Sequence, residues 1–335
     1  MRRPVARNVL FALLPSIVVL LIGGAAGEIY LRGQHVELQK GIEAKVAGRE
    51  RCTRASSDPV RIYEGIPNKC GQNALGFRDV EHALEKPAGV FRIAVIGDSV
   101  AMGQGVRPDE TFVQVLGRTL GEHGAKVEVM LFAVTGYSTS QELALLETAY
   151  RFHPDLILWT YVLNDAADPV IDNANGELGA YFHAPPSYAL DYLRTLWTRS
   201  ILNIKGRDCP QEWHRRMHCM HRDDIERNFS VIARSAAEHR VPVVIVILPL
   251  LPEGAYRSYE YAPVHDDLRA MAAARGLRVV DALAAFDGLD VETLRQPDAS
   301  TWRDPWHPNS RGHVLIGEYL SGQLKDLVPS SKRTP

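Results

Sequence analysis

Four polar clusters in this 335-residue sequence combine residue types that can carry out nucleophilic catalysis. They are Gly97-Asp98-Ser99-Val100, Thr135-Gly136-Tyr137-Ser138, Leu163-Asn164-Asp165 and Asp304-Pro305-Trp306-His307. A serine hydroxyl becomes a good nucleophile when a nearby base accepts its proton. The last cluster offers an imidazole, which titrates near neutral pH, and a carboxylate three residues earlier that could fix its tautomer. We therefore predict that Ser99 is a nucleophile, that His307 is its base, and that Asp304 orients His307.

Acyl chemistry at a serine also needs hydrogen-bond donors that stabilise the developing oxyanion. The backbone N–H groups of Ser99 and Gly136 and the side-chain amide of Asn164 could supply three. Glycine at position 136 would let the backbone come close to a substrate. We predict that these residues form an oxyanion hole, although each also has a structural interpretation as a helix cap, a turn glycine or a loop residue. For Asp98 we favour a role in tying down its turn.

Strands that alternate with helices would bring the four clusters together. The apolar runs predict strands at 91–96, 127–134, 155–162, 241–248 and from 277. The amphipathic segments predict helices at 111–120, from about 140, at 224–239, 266–274 and 310–327, the second with a Thr139/Glu142 capping box. This alternation predicts an α/β fold, a three-layer α/β/α sandwich around a parallel sheet of about five strands. Ligands bind such sheets beyond the carboxyl ends of the strands, where all four clusters would lie.

Asp-x-x-His spacing occurs twice, at Asp79/His82 and at Asp304/His307. Position distinguishes the two pairs, because His82 precedes the first core strand whereas His307 follows the last one. We therefore assign the base to His307. His313, on the last predicted helix, is expected to pack or to cap.

These clusters, in this order and at strand ends, resemble the four blocks of the SGNH, or GDSL-type, hydrolases over about residues 89–327. The segment 73–78 (NALGFR) also resembles one that precedes this domain in membrane-anchored bacterial members. The resemblance implies a three-layer α/β/α fold, a Ser-His-Asp triad, no metal or organic cofactor, and ester substrates. Two departures stand out: Val100 replaces the leucine of the family name, and the insert 166–222 is longer than in minimal members. Because of this longer insert, the substrate class of other family members cannot be transferred to this chain.

The N-terminal segment 9–27 carries no charged side chain and is about long enough to cross a bilayer core as a helix. Arg2, Arg3 and Arg7 precede it, which favours a cytoplasmic N-terminus. The alternative is a signal peptide cleaved near residues 24–26. We predict an uncleaved transmembrane anchor and an extracytoplasmic catalytic domain, periplasmic in a Gram-negative cell.

The four cysteines become interpretable once the body is placed outside the cytoplasm, where thiols tend to pair. Four cysteines allow three connectivities. The local pairing, Cys52 with Cys70 and Cys209 with Cys219, is our hypothesis.

The chain divides by composition into four parts. We predict a cytoplasmic N-terminus and anchor at 1–30, a stalk and N-terminal extension at 31–88, the hydrolase domain at 89–328 with its insert at 166–222, and a polar tail at 329–335.

The insert offers two competing interpretations. His214 and His218 are one helical turn apart, as a zinc-binding pair would be, but a disulfide-closed loop that carries histidines is favoured and we predict no metal. A group of aromatic residues could flank a sugar or acyl chain, or could form a small core of the insert, which we favour: Tyr181, Phe182, Tyr188, Tyr192 and Trp197.

The charge balance excludes one class of partner. The 38 basic and 40 acidic residues give a formal charge of −2, so there is no basic excess to bind nucleic acid. The sequence predicts a membrane-tethered serine esterase acting on an acyl ester, for example an O-acetyl group of an envelope or exported polysaccharide. One alternative is an O-acetyltransferase that moves the acyl group to a glycan hydroxyl. Another is a non-catalytic glycan-binding or assembly component. The oligomeric state is not predicted.

Overall fold

A computed structural model of the protein describes residues 4–48, 50–172, 178–251, 259–296 and 306–329. The α-helices within these ranges are α1 (Pro4–Lys45), α2 (Ser99–Met102), α3 (Phe112–Glu122), α4 (Thr139–Leu143), α5 (Leu146–Tyr150), α6 (Leu178–Phe182), α7 (Tyr188–Lys205), α8 (Trp213–Met220), α9 (Arg222–His239), α10 (Ala262–Ala273) and α11 (Ser310–Gln323). The strands are β1 (Thr53–Ala55), β2 (Tyr63–Gly65), β3 (Phe91–Gly97), β4 (Val127–Ala133), β5 (Leu156–Tyr161), β6 (Val243–Ile247) and β7 (Arg278–Asp281).

Five parallel strands form the central sheet, in the order β4-β3-β5-β6-β7. Every residue of β5 and β6 is buried, as expected for strands covered by helices on both faces. The chain crosses from β3 to β4 on one side and then to β5 on the other. The carboxyl ends of β3 and β5 therefore flank the point where the strand order reverses, which is the usual ligand crevice of such sheets. The predicted three-layer α/β/α fold is confirmed.

The predicted strands all form, and the differences lie mainly at helix ends. The predicted Thr139/Glu142 capping box is wrong: Ser138 is the N-cap of α4, and its reciprocal partner is Gln141. Thr139 is already the first helical residue of α4. Helix α10 begins four residues earlier than predicted, at Ala262, because Pro263 suits the first turn of a helix.

Residues between the N-terminal helix and the sheet pack closely on the hydrolase fold. Tyr63 of β2 is buried, and its hydroxyl donates to the carbonyl of Thr135 at 2.9 Å. Arg78 donates to three backbone carbonyls in the loop that follows α2, those of Met102, Gly103 and Val106. The segment 73–78 therefore fixes the loop after α2.

Helix α1 runs for 42 residues and is the candidate membrane span of the described chain. From Leu14 onward it is long and apolar enough to cross a bilayer, and its apolar stretch is not buried against the rest of the protein. The helix continues beyond Gly27 to Lys45, where it packs against α6 and α7.

Two disulfides are present, Cys52–Cys70 and Cys209–Cys219. The local pairing is therefore confirmed. The first joins the chain after α1 to the loop after β2, and the second closes the segment that contains α8.

Candidate active site

Ser99 lies in the tight turn between β3 and α2. Asp98 caps this helix, because its Oδ1 accepts the backbone N–H of Val100 at 2.9 Å, which confirms its role in the turn. A Cβ atom on Gly97 would lie 1.9 Å from Oγ1 of Thr160 on β5. Only glycine therefore lets the end of β3 lie against β5 and place Ser99 at the crevice.

Ser99 and His307 meet although 208 positions separate them in the sequence. The Nε2 atom of His307 lies 2.9 Å from Oγ of Ser99, within hydrogen-bond range for a general base and its nucleophile. Both side chains are largely buried, each 8% exposed. Asp304 lies outside the described residues, and its role stays a prediction.

The segment that carries His307 is held on two sides. The His307 carbonyl accepts the backbone N–H of Gln296 at 3.1 Å. On the other side, the indole Nε1 of Trp306 donates to Nε2 of His214 at 3.0 Å, and Nδ1 of His214 pairs with Glu212 at 2.9 Å. The loop closed by Cys209–Cys219 thus contacts the residue beside His307. The sequence analysis missed this contact because nothing in either segment indicates that they meet.

The predicted oxyanion donors lie at the same edge of the sheet. Asn164 is in a short 3-10 turn directly after β5, and its Nδ2 donates to Oδ2 of Asp98 at 3.4 Å. The same oxygen lies 3.3 Å from Oγ of Ser99, so Ser99 and Asn164 both contact one carboxyl group. Gly136 follows β4 with a φ of 71°, in the left-handed region that favours glycine. Their role as oxyanion donors stays a prediction.

Two further carboxyl groups are buried close to Asp98. Burial and the nearby Asp98 carboxylate raise the pKa of Glu142 well above its ordinary value. Burial and the neighbouring Glu142 and Asp98 also raise the pKa of Asp165 well above its ordinary value. The Oδ2 atom of Asp165 accepts the backbone N–H of Val162 at 2.7 Å. Burial therefore favours the neutral form of both Glu142 and Asp165. Sequence reasoning missed the burial of Glu142 because its spacing from Thr139 indicated a helix cap.

We expect Glu142→Gln to become more stable relative to the wild type as the pH rises. Because the folded-state pKa of Glu142 is raised, the stability that the protonated Glu142 contributes to the wild type is fully present below about pH 4.5. It is lost as the pH rises towards the folded-state pKa, since the folded state must keep a proton that the unfolded state releases. The amide of glutamine does not titrate, so the variant does not lose stability in this way. Chemical unfolding at pH 5 and pH 8 should show a difference in unfolding free energy that grows by at most about 1.4 kcal/mol per pH unit.

Glu147→Gln is the matched control, because Glu147 is exposed on the neighbouring α5. Its stability should follow the wild type at both pH values. A Glu142→Gln curve parallel to that of the wild type would show that Glu142 is ionised in the folded protein.

The competing histidines have other partners. His82 bonds to Asp79 and to Glu128, which pairs with the second residue of β3, at the opposite end of the strand from Ser99. Five residues of strand separate these ends by roughly 16 Å. His313 is fully buried and its Nδ1 accepts the backbone N–H of Phe112, which confirms the expected packing or capping role. Burial lowers the pKa of His313 to about 3, so its ring is neutral.

His214 and His218, which lie one helical turn apart, have separate partners. The Nε2 atom of His214 accepts from Trp306, and that of His218 pairs with Asp267 at 2.9 Å. The two nearby cysteines are joined in a disulfide. Within the described ranges there is no group of three or more His, Cys, Asp or Glu side chains placed to hold a metal ion.

The aromatic residues of the insert divide into two groups. Tyr181 is buried, stacks edge-on with Phe182 and bonds through its hydroxyl to Glu43 of α1. Tyr192 and Trp197 are exposed on α7. The expectation of one small core is therefore wrong for Tyr192 and Trp197, because α7 turns them away from the body.

A family model, the GDSL-like Lipase/Acylhydrolase family, matches residues 95–315, about two thirds of the chain. This chain belongs to that family. It is therefore a GDSL-type, or SGNH, hydrolase of the esterase and acylhydrolase class. Comparison with curated protein sequences gives no significant match.

Several hydrolases are among the solved structures to which this chain is similar. The lipase Lip_vut3 from a goat rumen metagenome is 20% identical with a TM-score of 0.45, over 69% of this chain and 96% of that one. TesA is 16% identical with a TM-score of 0.43, and the match covers 70% of this chain and 99% of TesA. The lipase/acylhydrolase from Enterococcus faecalis is 15% identical with a TM-score of 0.42, and the match covers 72% of this chain and 98% of that protein.

Proposed function

We propose that this GDSL-type hydrolase is an extracytoplasmic serine esterase that cleaves an acyl ester through an acyl-Ser99 intermediate. The observation that carries the proposal is the 2.9 Å contact between Oγ of Ser99 and Nε2 of His307. A serine and an imidazole in this geometry form a nucleophile and its base, and both lie at the crevice of the sheet.

In the proposed reaction, His307 accepts the Ser99 proton as Oγ attacks the ester carbonyl. The tetrahedral oxyanion is stabilised by the N–H groups of Ser99 and Gly136 and by the Asn164 amide. His307 then donates its proton to the leaving alcohol, and the acyl group remains on Ser99. A water molecule, deprotonated by His307, attacks the acyl-enzyme and releases the acid. Asp304 is proposed to orient the His307 ring.

The proposed location follows from two features of the chain. The apolar part of α1 is exposed and long enough to anchor the protein in a membrane. The two disulfides favour an oxidising compartment for the body. We propose that the body faces the extracytoplasmic space, the periplasm in a Gram-negative cell, and that its substrate is an O-acyl ester of an envelope or exported polysaccharide. We also propose the domain boundaries 1–30 for the anchor, 31–88 for the stalk and extension, 89–328 for the hydrolase domain and 329–335 for the tail.

A substrate panel tests this proposal. Purified full-length protein in detergent is assayed with p-nitrophenyl esters of increasing acyl length and with O-acetylated glycans, and free acid and acylated acceptor are both measured. The proposal expects free acid as the main product. Acyl groups recovered mainly on an added glycan would instead show an O-acetyltransferase. Absence of turnover on every ester would leave a glycan-binding or assembly role.

We expect Asn164→Ala to lower kcat about 10²–10³-fold with little change in folding, as loss of one oxyanion donor does elsewhere. The reason is that the Asn164 amide stabilises charge that develops only in the transition state. Steady-state kinetics on the best p-nitrophenyl ester would measure the effect. Asn203→Ala, on the exposed side of α7, is the control and should match the wild type. A kcat for Asn164→Ala within about threefold of the wild type would remove Asn164 from the oxyanion hole.

A further inference from the structure

Helix α7 turns its most apolar face away from the protein. Five large side chains repeat at helical spacing and are between 41% and 71% exposed: Leu190, Leu193, Trp197, Ile201 and Ile204. We call these five residues the α7 stripe. Another face of the helix carries the partly buried Asp191, Thr195 and Thr198 and the buried Leu202. A surface helix of a water-soluble domain normally buries its apolar residues, so the α7 stripe is unusual for a surface that faces water.

The first turn of α7 is fastened to the part of α1 that follows its apolar segment. Glu28, the first charged residue after that segment, accepts the backbone N–H of Ala189 at 2.8 Å and the hydroxyl of Ser187 at 2.9 Å. One turn later, Arg32 donates to the carbonyl of Pro186 at 3.0 Å, and its guanidinium lies 4.9 Å from the ring of Tyr188. Helix α7 therefore begins at the level where α1 would leave the bilayer.

We propose that the α7 stripe lies in the surface of the same lipid bilayer that α1 spans. This inference rests on the proposed membrane anchor. The stripe spans the 15 residues from Leu190 to Ile204, which is about 21 Å of helix. Leucine, isoleucine and tryptophan are the residues that interfacial helices bury in the boundary between headgroups and acyl chains. The exposed Arg194 lies beside the stripe, where it can reach anionic headgroups, whereas Lys205 at the end of α7 pairs with Asp223 at 2.8 Å.

A bilayer fits the α7 stripe better than a second protein chain does. The stripe is continuous with the exit point of α1, so anchoring alone brings α7 to the lipid surface. Embedding it would replace water with acyl chains at little further cost in translational freedom, because α1 has already confined the protein to the membrane. The result is a second membrane contact that would fix how the body, and with it the Ser99 crevice, is oriented over the bilayer.

Tryptophan quenching tests this inference in the full-length protein. The protein is reconstituted in phosphatidylcholine/phosphatidylglycerol vesicles with or without bromine on the acyl chains, and its tryptophan emission is recorded. The chain has five tryptophans, so the Trp197 signal is the difference between the wild type and Trp197→Phe. Trp213→Phe is the matched control, because Trp213 is also exposed, at the start of α8 and outside the stripe. We expect Trp197→Phe to lose most of the bromine-dependent quenching and Trp213→Phe to keep it.

Two results would overturn the inference. A Trp197 component that is solvent-like and not quenched would place the stripe in water. A component that is blue-shifted but not quenched would show that protein, such as a second copy of this chain, covers it. Alkaline extraction of the vesicles separately tests the α1 anchor, and ester hydrolysis tests the proposed activity, so failure of either premise is distinguishable from failure of the α7 inference.

Discussion

Ser99→Ala should lower ester turnover by at least about a thousandfold, with little change in the thermal midpoint. The substitution removes only the Ser99 hydroxyl, whose Oγ lies 2.9 Å from Nε2 of His307, and leaves the Cβ atom in place. Without it the acyl-enzyme cannot form, and only catalysis by the remaining donors and by binding persists. Initial rates on the best p-nitrophenyl ester, together with thermal unfolding, measure both quantities.

Ser321→Ala is the matched control for Ser99→Ala. Ser321 is a buried serine on α11 whose hydroxyl has no hydrogen-bond partner among the described residues. It should keep wild-type turnover. If Ser99→Ala retained more than about a tenth of wild-type turnover, the nucleophile would have to be another group.

His307→Gln should lower turnover to a similar extent, because the glutamine amide cannot accept and return the Ser99 proton. The double variant Ser99→Ala/His307→Gln should be no slower than either single variant, since residues that act as a unit are strongly non-additive. Steady-state rates of the three variants, measured with the same ester, would show this.

His82→Gln is the control for His307→Gln. It removes the histidine of the other Asp-x-x-His pair, at the amino end of the sheet, where it contacts Asp79 and Glu128. The variant should keep its activity as long as it folds, which circular dichroism checks. A large loss in a folded His82→Gln, with His307→Gln active, would reverse the assignment of the base.

The fold was predictable because its strands are short apolar runs that a parallel sheet buries on both faces. The runs 91–96 and 155–162 coincide with β3 and β5 to within two residues at each end. Helix ends were less certain, since local signals compete there. Thr139/Glu142 has the spacing of a capping box, yet Ser138 and Gln141 form the box because the helix starts one residue earlier.

The convergence of Ser99 and His307 was predictable from topology, since the carboxyl ends of parallel strands share one edge of the sheet. The supporting contacts were not. Trp306 bonds to His214 of the insert, and no periodicity or motif links two segments 92 positions apart. The burial of Glu142 depends on how α4 packs against β3 and α9, which sequence patterns do not specify.

The exposed face of α7 explains why the predicted small core of the insert was wrong for Tyr192 and Trp197. Its aromatic residues suggested a small core, because apolar side chains in a soluble body are usually buried. The structure instead leaves Trp197 71% exposed on α7, a helix whose first turn is bonded to Glu28 of α1. The same residue types therefore point to a lipid surface once the position of α7 relative to α1 is known.

Covalent labelling tests the central claim most directly. The full-length protein is treated with a fluorophosphonate, digested, and analysed by mass spectrometry for the modified serine. We expect one adduct, on the peptide that contains Ser99, with no labelling of Ser99→Ala and much slower labelling of His307→Gln. An adduct on a different serine, or ester turnover by a protein that never labels, would contradict the account.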